Sequence, residues 1–327
     1  MKKGIALIAF TDRGMGLALK LAQALGGEAE RARDGGLAAW TAAHFQKNEA
    51  LVFVGAVGIA VRAIAPHVRN KAEDPAVVCV DETGRWAVPL LSGHLGGANE
   101  LARAIAAVTG GEAVVTTATD INGLFAVDLW ARKQGMAVLQ RERIKAVSAK
   151  LLRGGTVTIE SGSPIQGEPP AGVLLGKDGD VLVSYRAAGT PAMQLVPRVL
   201  ALGVGCRRGT EADTLEAAFQ QFCAERGALP QAIEAAASID LKADETGLLR
   251  FCAAHGWPLR FYSAEELRTV PGNFTASAFV ESTAGVDNVC ERAAVLSSGG
   301  SLIENKYARA GVTFALAERP VQYDWSW

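Results

Sequence analysis

Over the first 130 residues, short apolar runs alternate with stretches whose apolar positions recur every three or four residues. The runs at 5–10, 51–54, 76–80 and 113–116 are short and rich in Val and Ile, and read as buried strands. The segments 15–25, 96–108 and 124–133, and the stretch from Gly58 to Pro66, read as helices. Strand and helix in alternation imply right-handed crossovers and a largely parallel sheet. From Gly135 to Pro197 the pattern changes. Prolines at 164, 169, 170, 191 and 197 break it into short apolar runs at 156–160, 173–175 and 181–185. Lys177-Asp178-Gly179-Asp180 predicts a hairpin turn between the last two. This stretch reads as a connecting module of one helix and a few strands. The last 130 residues return to alternation, with strands at 199–204, 235–239, 259–262 and 312–317 and helices at 244–255 and 289–296. Thr210 with Asp213 comes close to a capping box at a further helix start, and Ser263–Leu267 starts another capped helix. The expected fold is α/β: two parallel-sheet α/β domains (1–134 and 198–327) joined by a small α+β linker domain (135–197).

Composition narrows the function. Lys+Arg 33 against Asp+Glu 34 leaves a net charge of −1, so no overall basic field attracts nucleic acid. Charged residues at 20% and hydrophobic ones at 49% exclude a disordered chain. Met1-Lys2-Lys3 before an apolar run imitates a signal peptide, but the run at 4–10 is only seven residues long and reads better as a first strand. The longest apolar run, 50–61, is too short to span a membrane. Five cysteines, with no C-x-x-C pair, suit a reducing compartment better than a disulfide framework or a zinc knuckle. A cytoplasmic protein is expected.

Three glycine-rich turns follow strands: Gly55-x-x-Gly58; Ser92-Gly93-His94-Leu95-Gly96-Gly97-Ala98-Asn99; and Gly203-x-Gly205-Cys206-Arg207-Arg208-Gly209. Bare amides at a helix start can hold an anion, and tight left-handed corners would explain the same glycines. None of the three has the spacing of a dinucleotide fingerprint or a P-loop. Arg62, Arg85, Arg207 and Arg208 stand in or near these turns and suit carboxylates or phosphates. Together the turns and arginines point to a ligand with several negative groups.

Among the four histidines, His94 stands apart, in a glycine-bounded loop before a helix. It suits a general acid or base, or a residue that ties its loop to the backbone. Cys206, beside two arginines at an expected helix start, would have a lowered pKa; small-residue packing is the alternative. Lys242 and Glu245 are spaced to meet on one face if helical. No His/Cys/Asp/Glu set has the spacing of a metal site.

Several strings are more specific. Val57-Gly58-Ile59-Ala60-Val61-Arg62-Ala63-Ile64-Ala65-Pro66, Lys71-Ala72-Glu73-Asp74-Pro75-Ala76-Val77-Val78 with Asp81-Glu82, and Leu90 to Ala102 around Ser92-Gly93-His94 resemble the CbiG family of cobalamin biosynthesis. So do Thr116-Thr117-Ala118-Thr119-Asp120, the Gly203–Thr210 stretch, and Ser238-Ile239-Asp240-Leu241-Lys242-Ala243-Asp244-Glu245. The last domain also resembles CobE. Cys290-Glu291-Arg292 departs from the family's pattern, with Arg292 where a small residue is usual.

The resemblance implies a hydrolase of the anaerobic route to vitamin B12. Its substrate is cobalt-precorrin-5A, a macrocycle that brings its own cobalt, so no separate cofactor is implied. Water opens a δ-lactone, and the C20 unit leaves as acetaldehyde to give cobalt-precorrin-5B. His94, or else Glu82 or Asp120, is expected to assist the water, with the amides of Gly96 and Gly97 facing the oxyanion. Gly55, Gly58, Arg62, Ser92, Gly93, Asn99, Thr117, Gly205, Cys206, Arg207, Arg208, Lys242 and Glu245 are expected to bind the cobalt-corrinoid, in one cleft between the first and last domains. A monomer or homodimer is expected, with transient contact to neighbouring pathway enzymes and none to nucleic acid or membrane. Two other readings stay open: a non-catalytic tetrapyrrole carrier, and a nucleotide-dependent oxidoreductase.

Overall fold

The computed structural model describes residues 3–33, 36–70, 73–94, 96–189 and 192–327. Met1, Lys2, Lys71, Ala72, Leu95 and Pro191, which entered the sequence reading, lie outside them. The chain divides into two compact units, Met1–Leu129 and Trp130–Trp327.

The first unit is built on six strands: β1 (Lys3–Ala9), β2 (Gly27–Arg31), β3 (Asn48–Val54), β4 (Ala76–Val80), β5 (Trp86–Leu91) and β6 (Glu112–Ala113), in the order β2-β1-β3-β4-β5-β6. Helices α1 (Asp12–Leu25), α2 (Leu37–Phe45), α3 (Val57–Ile64), α4 (Ala98–Thr109) and the short α5 (Ala118–Ile121) connect them. β3 and β4 are buried along almost their whole length. That is why they read as unbroken apolar runs rather than alternating ones. Thr11 caps α1 by accepting from the Gly14 amide, and Gly26 ends it in the left-handed conformation.

One strand changes the geometry of the unit. β1, β2, β3 and β4 are mutually parallel, but β5 runs antiparallel to β4, pairing Val80 with Ala87 and Val77 with Leu91. β6 then follows β5 in parallel. The chain therefore leaves β5 at the opposite sheet edge from the one where it leaves β1, β3 and β4. β5 gives no strand signal in the sequence, because Pro89 interrupts its apolar run, and β2 is too polar to give one.

α6 (Val127–Lys133) carries the chain into the second unit. There β7 (Met136–Val138), α7 (Ile144–Leu152), β8 (Val157–Ser161), β9 (Ile165–Gln166), β10 (Val173–Leu175), β11 (Val181–Val183) and β12 (Met193–Pro197) follow. Five of these strands form a sheet in the order β10-β8-β11-β12-β7. The hairpin expected at 177–180 is absent: β10 and β11 both run parallel to β8, one on each side of it. The segment steps across β8, where the Asp180 carboxylate accepts from the Thr158 amide at 2.9 Å and from Lys150 Nζ at 2.8 Å.

The remaining elements are β13 (Leu200–Cys206), α8 (Ala212–Arg226), β14 (Ile233–Ile239), α9 (Thr246–His255), β15 (Leu259–Tyr262), α10 (Ala264–Thr269), α11 (Ala278–Ala284), α12 (Cys290–Ser298), β16 (Ser301–Arg309), β17 (Val312–Glu318) and β18 (Tyr323–Asp324). The sheet order is β15-β14-β13-β17-β16, with β17 antiparallel to both of its neighbours. The core on one face joins Phe219, Phe222, Phe251, Trp257 and Phe314. The capped helix expected from Ser263 is α10, and Ser263 and Glu266 form a capping box at its start. Thr210 does not cap α8; its hydroxyl donates to the Arg207 carbonyl at 2.7 Å, and Glu211 occupies the cap position. Among the described residues, no helix is long and apolar enough to cross a membrane.

Candidate functional site

In the first unit the loop after β5 brings His94 against two carboxylates. His94 Nε2 lies 2.7 Å from Asp120 Oδ2, and Nδ1 lies 3.4 Å from Asp128 Oδ2. Arg103 donates to the other Asp120 oxygen. Asn99, buried in the first turn of α4, donates to Thr117 Oγ1 and to Asp120 Oδ2, both at 3.1 Å. Ser92 donates to the Asp74 carbonyl at 3.0 Å, tying the loop to the start of β4. The loop is tightly wound: a Cβ at Gly96 would lie 2.3 Å from that of Ser92. His94, Asn99, Thr117 and Asp120 thus come together as a set, as candidates picked from separate strings of sequence.

The electrostatics of this set are those of a proton carrier held in its charged form. The Asp128 carboxylate raises the His94 pKa most; burial opposes this, Asp120 adds to it, and the result is about 8. Burial pulls the Asp120 carboxyl up, but Arg103 and His94 outweigh it and hold it below its ordinary value. Asp128 was missed in the sequence. It is 4% exposed, and its Oδ1 has no hydrogen-bond partner among the described residues. Its one sequence signal is a lone acid in an otherwise apolar helix start.

Other candidates in this unit lie elsewhere. Gly55 and Gly58 follow β3 at the opposite sheet edge, with Gly55 N–H bonded to the Val80 carbonyl. The Arg62 guanidinium turns back to the Gly58 carbonyl at 3.3 Å. Glu82 accepts from the Thr11 hydroxyl at 2.7 Å, at that same edge. One cleft therefore does not gather both the 55–58 and the 92–99 loops, because the antiparallel β5 separates them by the height of the sheet. The Gly97 amide is not available to an oxyanion either, since it donates to the His94 carbonyl at 2.9 Å.

In the second unit, a pocket of about 880 Å³ opens beside the ends of β13 and β14. Gly205, Cys206, Arg207, Arg208 and Lys242, five of the expected binding residues, line it. Lys306 and Arg309 add two cations that the sequence reading missed, because β16 was not read as a strand. Ile239, Leu241, Val280, Val289 and Val312 supply apolar wall. Among the described residues, no carboxylate lines the pocket. α11, which carries Phe279 and Val280 to the wall, buries none of its residues, and Phe279 is 72% exposed.

The expected glycine loop at 203–209 is corrected in detail. Gly203 and Gly205 lie within β13 and pair with β17, so they are strand residues and not an anion cradle. Gly203 is there because α12 packs directly on the strand: a Cβ would stand 1.7 Å from the Cys290 carbonyl oxygen. Cys206 ends the strand rather than opening a helix, and burial raises its pKa, with Lys242 only partly offsetting this. The lowered pKa expected from its arginine neighbours is thus overturned. Lys242 and Glu245 do meet, at 3.2 Å, and Glu245 also accepts from the Gly209 amide at 2.7 Å. Arg208 is held in two parallel bonds by Asp244.

Glu291 secures the far wall. It is fully buried and accepts from the Thr275 amide and hydroxyl, Asn288 Nδ2 and the Lys306 amide at 2.6–2.8 Å. Arg292 beside it is accommodated by Asp287, by the Val270 carbonyl and by the ring of Phe274.

Comparisons with known proteins agree with this organisation. The family "Cobalamin synthesis G N-terminal" matches residues 39–120, and "Cobalamin synthesis G C-terminus" matches residues 200–317. A cobalt-precorrin-5A hydrolase of Salmonella typhimurium is 36% identical, over 96% of this chain and 97% of its own. One from Priestia megaterium is 32% identical, over 84% of this chain and 80% of its own. The protein CobE of a Sinorhizobium species is 32% identical over 36% of this chain and 79% of its own. With both halves matched and a relative aligned from end to end, the chain belongs to the CbiG family of cobalamin biosynthesis.

Proposed function

We infer that this chain is a cobalt-precorrin-5A hydrolase, which opens the δ-lactone of the cobalt macrocycle and releases the C20 unit as acetaldehyde. The observation that carries the reading is the wall chemistry of the second unit's pocket. Apolar side chains line a space of about 880 Å³, and Arg207, Arg208, Lys242, Lys306 and Arg309 surround it. That volume is within the usual range for small-molecule sites, about 300–1,000 Å³. A flat ring system presents apolar faces and a rim of acetates and propionates. Apolar walls with peripheral guanidinium and ammonium groups complement both. The cobalt enters as part of the substrate.

For the chemistry, His94 is the residue we assign to proton transfer. With its pKa near 8, it is mostly imidazolium at neutral pH and suited to give a proton to the oxygen that leaves when the lactone opens. This replaces the water-activating role first expected of it. Asp120 and Asp128 then hold the imidazolium, in the way a carboxylate orients a catalytic histidine.

The test is an anaerobic incubation of purified protein with cobalt-precorrin-5A, trapping volatile aldehyde with a hydrazine and recording the product mass. Acetaldehyde released in step with loss of the two-carbon unit is the expected result. Tight binding without aldehyde would overturn it and leave the protein a tetrapyrrole carrier.

A further inference from the structure

The five cations around the pocket are not equivalent. Arg208 is held by Asp244 at 2.6 and 2.9 Å, and Lys242 by Glu245 at 3.2 Å. Arg309 stands 3.7 Å from Glu225. Arg207 and Lys306, in contrast, have no carboxylate within 4.0 Å among the described residues. Both side chains nevertheless have fixed bases. The Arg207 amide bonds to the Gly311 carbonyl at 3.2 Å, and its side chain lies along Gly311. The Lys306 amide bonds to the fully buried Glu291 at 2.6 Å. An unpaired cation on a fixed base beside an apolar wall gains most from an anion on the ligand.

Building on the macrocycle reading, we propose that Arg207 and Lys306 are the specificity-determining residues of this pocket. They select tetrapyrroles whose side chains are free carboxylic acids over those whose side chains are amides. A carboxylate meets each cation with a charge-assisted hydrogen bond. An amide at the same place offers only a neutral oxygen and leaves the desolvated cation uncompensated.

The experiment is a titration of the intact protein, by calorimetry and by the corrin visible bands, with two probes. One is a dicyanocobalt corrin bearing seven free carboxylates; the other is its hexaamide, with a single free acid. The heptaacid should bind at least about tenfold more tightly, the scale of one or two charge-assisted hydrogen bonds. R207Q and K306Q should each weaken heptaacid binding severalfold, leave the hexaamide nearly unchanged, and so shrink the ratio. Circular dichroism melts confirm that each variant is folded, and R207K should retain part of the preference. Equal binding of both probes by the unaltered protein, or an undiminished ratio in both glutamine variants, overturns the selection while leaving the pocket as the macrocycle site. Failure of the heptaacid to bind overturns the site and the selection together.

Discussion

The two candidate sites are built on opposite plans. The His94 cluster is a closed electrostatic unit, in which an imidazole lies between two carboxylates and one of these is also held by Arg103. The pocket of the second unit is open, apolar, and keeps cations at its wall without a balancing acid in its lining. The first arrangement sets the protonation state of one group. The second sets which ligand stays. Binding and proton transfer should therefore respond to different substitutions, and the contrast can be broken from either side.

The largest effect should come from Gly203→Ala. A methyl group there meets the α12 backbone, which cannot swing away as a side chain can. A loss of about 3 kcal/mol or more in unfolding free energy is expected by denaturant titration. Corrin binding should fall with it, while the His94 titration midpoint stays near 8. A fully stable variant would show that the contact between α12 and β13 can relax.

Next, His94→Gln should lower kcat by at least about tenfold, with KM little changed, since a positioned acid or base contributes about 10²–10⁴. Unchanged turnover would remove His94 from the chemistry. Asp128→Asn sharpens the point: the His94 midpoint, read by NMR, should drop from about 8 toward its ordinary 6.5. A midpoint that does not move would leave Asp120 as its controlling neighbour.

The pH dependence follows with its sign. His94 titrates higher in the folded chain than the ordinary 6.5, so its stabilisation is complete below that value and is lost as pH rises through about 8. The loss is about 2 kcal/mol at most, from roughly 1.4 kcal/mol per pH unit. Denaturant melts at pH 6 and pH 9 measure it, and H94Q should flatten the difference. If His94 acts as an acid, kcat declines through the same range. The smallest effect belongs to Arg208→Ala. Its exposed pair with Asp244 should change stability almost imperceptibly and heptaacid affinity by about twofold or less. A large loss of affinity would mean that Arg208 leaves Asp244 for the ligand.

Much of this was legible in the residues. The buried strands β3 and β4 announce themselves as apolar runs, and the loop at 92–99 and Asp120 stand out by their glycines, histidine and acid. What stayed hidden was direction. Trp86–Leu91 carries a proline and pairs with β6 only at its start, so nothing local marks it as a strand or as one that reverses the sheet. Missing it placed His94 and Gly55 at one edge when they sit at two. Likewise β16, with a mostly polar, half-exposed face, gives no period-two signal, and Lys306 and Arg309 were missed with it. Asp128 could not be paired with His94 from sequence, because the 33 positions between them hold a helix, a strand and a second helix turn.

The helix α11 gives the pocket an uneven mechanics. On one side α12 rests backbone to backbone on β13 and Glu291 ties three segments together, so that wall has a fixed gauge. On the other, α11, tied at its flanks through Thr275 and Asn288, has no fully buried residue of its own along its length. A vice with one welded jaw and one sliding jaw grips objects of differing thickness while holding a single reference face. The side chains that α11 presents to the pocket, Phe279 above all, therefore have room to adjust that the strand-backed wall lacks.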